Sequence, residues 1–189
     1  MVTIDNETTA SSSSDEGTLA TMAYPSDIRK DYKVESIVGK GSFATVRKGR
    51  SRETGERVAI KVISKRRLSD ADKLNLKNEI EVMKQVDHPN IVKLYDVYED
   101  EKYFFLVMEL CKGGELYEKI VEREQFSEAE ARNTISPIFD AVIYCHELGI
   151  VHRDIKPENM LYTSRSLNRG IIKVSDFGLA RFVGEENLA

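Results

Sequence analysis

From Asp31 onward, apolar and polar residues alternate as they do in strands that have one wet face. YKVESIVG runs into GSFATVRKGRS and then ETGERVAIKVI, and the alternation predicts three successive strands. In the third, Val58, Ile60 and Val62 share one face, and Ala59, Lys61 and Ile63 the other. Thr54-Gly55-Glu56 reads as the turn between the second and third strands. HPNIVKLYDVYED and KYFFLVMEL read as two more strands, so the first half is a five-stranded antiparallel sheet with one helix. That helix covers about 73–86, with Ser69 as its N-cap. Leu76, Ile80 and Met83 form its inward stripe, and Glu79 falls on the same side. The basic RRLS that contains Ser69 leaves a second reading open, a phosphorylation site.

After LCKGGEL the period changes to that of a helix. Ser127 and Glu130 form a capping box that opens a long helix ending near Leu148, with Gly149 as its stop. Ala131, Ile135, Ile138, Val142 and Cys145 make its apolar stripe. Pro137 lies inside this helix, at a cost of about 3 kcal/mol, and nothing in the sequence explains it. Residues 1–26 are Ser/Thr-rich and poor in large apolar side chains, so they read as a disordered tail. Ser13 and Ser14 stand before Asp15 and Glu16, a setting for either a solvated tail or an acid-directed phosphorylation site. The remainder divides into a β-rich lobe (27–111) and a helical lobe (112–189), joined near Glu109–Gly113.

Composition narrows the class. The 189 residues are 41% hydrophobic and 32% charged, which suits one ordinary domain or two small lobes. A net charge of −4 lends no support to nucleic-acid binding. No apolar run reaches membrane-spanning length, and the N-terminus lacks a signal pattern, so a cytoplasmic or nuclear protein is expected. Cys111 and Cys145 lack metal-ligand or disulfide-framework spacing.

Four segments carry chemistry. GKGSFATV, Gly39 to Val46, is a glycine-rich link between strands whose backbone N–H groups can approach phosphates. A dinucleotide site would need a helix after such a loop, and here a strand follows. Lys61, in VAIKVI, is costly inside an apolar strand unless paired, and Glu79 on its buried stripe needs a cation. Each explains the other, although a purely structural ion pair or a snorkelling lysine fits as well. VHRDIKPENML packs Asp154, Lys156 and Asn159 between apolar residues. Asp154 can accept a proton, Lys156 can neutralise a phosphoryl group, and Asn159 offers a metal an oxygen. KVSDFGLA adds Asp176, and the Asn159–Asp176 oxygen pair suits Mg²⁺.

The ordered set GKGSFATV, VAIK, a helix glutamate, HRDIKPEN and DFG resembles the eukaryotic protein kinases over residues 31–189. The lysine in HRDIKPEN resembles the serine/threonine class. HPNIVKL, GGELYEKI and YCHELGIVHRD resemble the calcium/calmodulin-dependent group. The resemblance implies an α+β kinase-like fold and transfer of the γ-phosphoryl of Mg-ATP to Ser/Thr of protein substrates in basic context. It places ATP under Val38, Gly39, Lys40, Gly41, Ser42, Phe43, Ala44 and Val46. Lys61 would hold the α- and β-phosphates, braced by Glu79. Met108 would be the gatekeeper, Glu109 and Cys111 would offer backbone groups to adenine, and Val46, Ala59 and Leu161 would sandwich the base. Asp154 would be the catalytic base, Lys156 would contact the γ-phosphate, and Asn159 and Asp176 would hold Mg²⁺. Met83, Leu94, His152 and Phe177 resemble the stack linking the lobes. Glu115 and Glu158 resemble an acidic pair that receives a substrate arginine, with surface solvation the alternative.

Ala44 stands where the family's third glycine would be, a mild departure. The family also implies an activation segment, an APE motif and further helices after DFG, and this sequence lacks them. The expectation is therefore either a piece of a longer kinase or a short nucleotide-binding or interaction module. For this chain by itself, no meaningful peptide phosphorylation is expected, and poor stability from an uncovered stripe on the long helix. Calmodulin is a candidate partner only through a region outside this sequence.

Overall fold

The computed structural model describes residues 24–41, 44–123, 125–166 and 170–183, so the readings for Ser13, Ser14, Ser42 and Phe43 lie outside the described residues. Five strands form one antiparallel sheet: β1 (Tyr32–Lys40), β2 (Ala44–Ser51), β3 (Arg57–Ser64), β4 (Leu94–Glu99) and β5 (Tyr103–Glu109), in the order β1-β2-β3-β5-β4. The central strand β3 pairs Lys61 with Val46 on one side and Leu106 on the other, which sets the lysine in mid-sheet. Val58 and Ile60 enter one core cluster, with Val62 against it, and Ile63 enters another, as the alternation requires. HPNIV is not strand: β4 begins only at Leu94, and Ile91 instead forms an isolated parallel bridge to Val174.

Helix α1 (Asp70–Gln85) starts at the predicted cap, a few residues ahead of the expected body. Ser69 and Asp72 form a reciprocal capping box: the Ser69 hydroxyl accepts from the Asp72 N–H (3.2 Å), and the Asp72 carboxylate accepts from the Ser69 N–H (2.9 Å). Its buried side chains are Leu76, Glu79, Ile80, Val82 and Met83. A short helix, α2 (Leu116–Arg123), was not foreseen. Leu116, Tyr117, Ile120 and Val121 recur at helical spacing, but only Leu116 is buried.

Helix α3 (Glu128–Glu147) opens with the predicted Ser127–Glu130 box, and Gly149 follows its end with φ +68°, a conformation glycine adopts without strain. Its buried stripe is Ile138, Ala141 and Cys145. The predicted member Ile135 is instead 45% exposed and lies on a second apolar face with Phe139 and Ile143. The two stripes overlap in sequence, and only packing separates them. The helix runs through Pro137. The missing N–H deprives the Asn133 carbonyl of its helical donor, and Asn133 is exposed to water.

Two small antiparallel pairs complete the helical lobe: β6 (Ile150–Val151) with β9 (Arg181–Phe182), and β7 (Met160–Tyr162) with β8 (Ile172–Val174). The largest core cluster joins Val82 and Met83 of α1 to Ile138, Ala141 and Cys145 of α3 and to Phe177, so the lobes share apolar packing. The expected tail reaches less far than residue 26. Tyr24 packs against the α1 cluster, and the Pro25 carbonyl accepts from the Glu99 N–H at 3.0 Å. No described helix is long and apolar enough to cross a membrane.

Candidate active site

Two adjoining cavities between the lobes share Lys61, Glu79 and Asp176. One is walled by Val38, Val46, Ala59, Met108 and Leu161 and reaches Glu109 and Cys111 in the lobe connection. The other runs under Gly41 and Ala44 toward Asp154 and Gly178. An apolar slot therefore opens into a polar end, a shape that fits a flat base with a charged tail. Among the other expected residues, Glu115, Glu158 and Asn159 line the first cavity. Lys40 and Lys156 line neither and are exposed. In the glycine-rich link, Gly39 pairs with Val46, and the Gly41 N–H donates to the Ala44 carbonyl at 2.8 Å.

The predicted ion pair is present. Lys61 Nζ lies 2.7 Å from Glu79 Oε1 and 3.8 Å from Asp176 Oδ1. Burial works against the ammonium, but Glu79 and Asp176 outweigh it, and the Lys61 pKa is raised. The lysine stays charged, facing two carboxylates across the cleft. Gly178 keeps this corner open. A Cβ there would stand 3.3 Å from Asp176 Oδ1 and 3.7 Å from Glu79 Oε2. Asp176 itself has φ +59°, a left-handed backbone that is rarely adopted outside glycine and occurs at strained functional turns.

The loop after β6 builds the second half of the site. The Asp154 carboxylate accepts from Lys156 Nζ at 3.0 and 2.8 Å and from Asn159 Nδ2 at 2.9 Å. The Lys156 hydrogen bond, ahead of the Asn159 bond, holds the Asp154 carboxyl below its usual range, and the same bond raises Lys156. Asn159 is 6% exposed, and its amide also donates to the Asp154 carbonyl at 2.9 Å. With that nitrogen committed, its oxygen is left to accept or to coordinate.

His152 ties this loop to the one carrying Asp176. Its Nε2 lies 3.1 Å from the Ser175 carbonyl, and its Nδ1 accepts from the Asp154 N–H at 3.3 Å. A carbonyl only accepts, so Nε2 carries the proton and the ring is neutral. Burial lowers its pKa, which agrees. Its ring meets Phe177 edge-on at 4.6 Å between centroids, and Met83 and Leu94 belong to the same cluster as Phe177, so the expected inter-lobe stack is formed. Arg153, at φ +66°, donates from Nε to the Leu179 carbonyl at 2.7 Å.

The donor set fits Mg²⁺. Asp176 and Asn159 offer oxygens to the same cavity, and Mg²⁺ commonly takes one or two carboxylates plus phosphate oxygens. Among the described residues no larger cluster of His, Cys, Asp or Glu competes for a metal. Cys111 lines the cavity, and burial pushes its thiol up to about 12, so it offers no thiolate there. Glu115 is bridged to Leu161, and burial, then Glu118 and Glu158, raises its carboxyl. Sequence reasoning missed Lys173, 8% exposed, whose Nζ lies 2.7 Å from Glu109 Oε2. Its signal was the one used for Lys61, a lysine inside an apolar strand, here IIKV.

Residues 32–188 match the family described as Protein kinase domain. The chain is 40% identical over 88% of its length to the probable serine/threonine-protein kinase fhkD of Dictyostelium discoideum. It is 47% identical over 82% to calcium-dependent protein kinase 5 of Plasmodium berghei. It is 43% identical over 79% to calcium/calmodulin-dependent protein kinase type II of Caenorhabditis briggsae. The chain spans 23%, 27% and 28% of these three relatives.

Proposed function

Because the chain belongs to the protein kinase family, in its calcium/calmodulin-dependent group, we propose that it carries the phosphoryl-transfer centre of an ATP-dependent serine/threonine protein kinase. The Lys61–Glu79 pair at 2.7 Å, set beside Asp176, is the observation that carries this reading. A structural pair needs no third charge. Here an ammonium stands at the junction of an apolar slot and a carboxylate-lined polar end, where the phosphates of a nucleotide would lie.

The adenine ring enters between Val46, Ala59 and Leu161 and meets the backbone of Glu109 and Cys111. Lys61 binds the α- and β-phosphates. Asn159 and Asp176 hold Mg²⁺, which when bound neutralises charge on the phosphate oxygens. Asp154 accepts the proton of a substrate Ser or Thr hydroxyl. The hydroxyl oxygen bonds to the γ-phosphorus as the bridge to the β-phosphate breaks and ADP leaves. Lys156, held on Asp154, brings positive charge to the transferring group. The chain supplies positioning and charge, with no covalent intermediate. Glu115, whose carboxyl is raised by burial and then by Glu118 and Glu158, lines the same cavity as Glu158, and the two together support a preference for a basic residue upstream of the target. Calmodulin remains a proposed partner, supported by the similarity to calmodulin-dependent relatives.

The test combines two readouts. Mg·ATP at 100 times its Kd should stabilise the chain by about 2.7 kcal/mol, and Lys61→Ala should remove the shift. In the whole protein that carries this chain, a peptide with an arginine upstream of its serine should gain a phosphate, and Asp154→Asn should abolish that gain while keeping the Mg·ATP shift. No Mg·ATP shift on the chain, or no transfer by the whole protein to any Ser/Thr peptide, overturns the proposal.

A further inference from the structure

Lys173 is a buried lysine inside an apolar strand, as Lys61 is a lysine inside β3, and the proposed transfer has no use for it. It lies on β8, and three residues later comes Asp176. Its Nζ leaves the small β7–β8 pair, contacts the Ile91 carbonyl at 3.4 Å and ends 2.7 Å from Glu109 Oε2. Glu109 closes β5 and opens the lobe connection. The ion pair therefore crosses from one lobe to the other beneath the cavity, with side chains only 10% and 22% exposed.

Both ends of this strut are fastened. At the upper end, the Glu109 N–H donates to the Lys93 carbonyl at 2.9 Å, and the Lys93 N–H approaches Glu109 Oε2 at 3.5 Å. At the lower end, the Val174 N–H donates to the Asn90 carbonyl at 2.7 Å, and the Ser175 N–H to the Asn159 carbonyl at 2.9 Å. Fixed contacts thus run from Glu109 at the apolar end of the cleft to Asn159 at its polar end, with Asp176 next to Ser175 in the chain. Withdrawing a lysine and most of a glutamate from water is costly, and hydrophobic residues of similar size would pack about as well. Stability alone does not account for the pair.

We infer that Lys173 is a positioning residue: through Glu109 it sets the distance between the base-binding and the metal-binding ends of the cleft. The inference rests on the nucleotide reading given above. A ligand that spans both ends needs that distance, and a ligand that occupies only the base end does not. Mg·ATP and adenosine are such a pair.

The experiment measures Kd for Mg·ATP and for adenosine, together with Tm, on the full chain. Lys173→Met should weaken Mg·ATP by about tenfold and adenosine by no more than about twofold. Lys173→Arg, which keeps the charge, should stay within about threefold for both. The neutral double variant Glu109→Gln/Lys173→Met should recover Tm without recovering Mg·ATP affinity, which also covers the case where the single variant folds poorly. Equal weakening of the two ligands, no weakening, or affinity that returns together with Tm overturns the inference and leaves the kinase reading standing. A wild-type chain that binds no Mg·ATP overturns both.

Discussion

Lys61 and Glu79 show how one contact serves folding and chemistry at once. Glu79 is 6% exposed, so Lys61→Met leaves a carboxylate in the core with only partial solvation. The expected loss is about 3 kcal/mol in urea unfolding, at the lower end for a broken buried pair because Lys61 keeps 22% of its side-chain exposure. His152 gives a pH dependence with a definite sign. Burial lowers its folded pKa below the ordinary 6.5, so between those values the unfolded chain binds a proton that the folded chain does not. Its contribution is whole above pH 6.5 and declines as pH falls through that value. The Tm advantage of wild type over His152→Asn should therefore shrink between pH 7.5 and 5.5. An advantage that grows on acidification would contradict the neutral tautomer, in which Nδ1 accepts from the Asp154 N–H.

At the scale of elements, the two capping boxes do different work although their geometry matches. Ser127 starts α3, a helix with a buried stripe against the core, and Ser69 starts α1, the helix that carries Glu79. Ser69→Ala and Ser127→Ala should each cost about 1 kcal/mol. Hydrogen exchange should separate them: Ser69→Ala should speed exchange in the first turns of α1 and weaken Mg·ATP binding, whereas Ser127→Ala should leave that binding alone. Gly149→Ala should cost about 1 kcal/mol, since φ is +68° and a Cβ would stand 3.2 Å from the Val183 carbonyl. Chemical denaturation checks it, and a neutral result would mean that the helix end relaxes freely.

At the scale of the whole molecule, α3 divides its apolar residues between two faces. Ile138, Ala141 and Cys145 join the shared core, while Ile135, Phe139 and Ile143 are 45, 60 and 55% exposed. A contiguous apolar face of this kind promotes association. The triple variant Ile135→Lys/Phe139→Glu/Ile143→Lys should reduce light scattering and dye binding at high protein concentration. Its stability should stay within about 1 kcal/mol of wild type, because exposed side chains contribute little. Scattering that does not change would place the sticky surface elsewhere. Here the sequence expectation of an uncovered stripe was right in kind and wrong in membership.

Local chemistry was legible in the sequence because it is repeated at short range. Period-2 alternation placed Lys61 in β3, the Ser69 cap and the Ser127–Glu130 box placed the helix starts, and Gly149 placed a helix end. The expected pairing of Lys61 with Glu79 followed because each was costly without the other. What crosses the chain was not legible. Lys173 gave the same signal as Lys61, but its partner Glu109 lies on another lobe, and no spacing connects them. The start of β4 at Leu94, the docking of Tyr24 on α1 and the choice between the two faces of α3 depend on which surfaces meet. A sequence fixes the period of an element and the cost of burying each side chain; only the assembled fold decides which neighbour meets that cost.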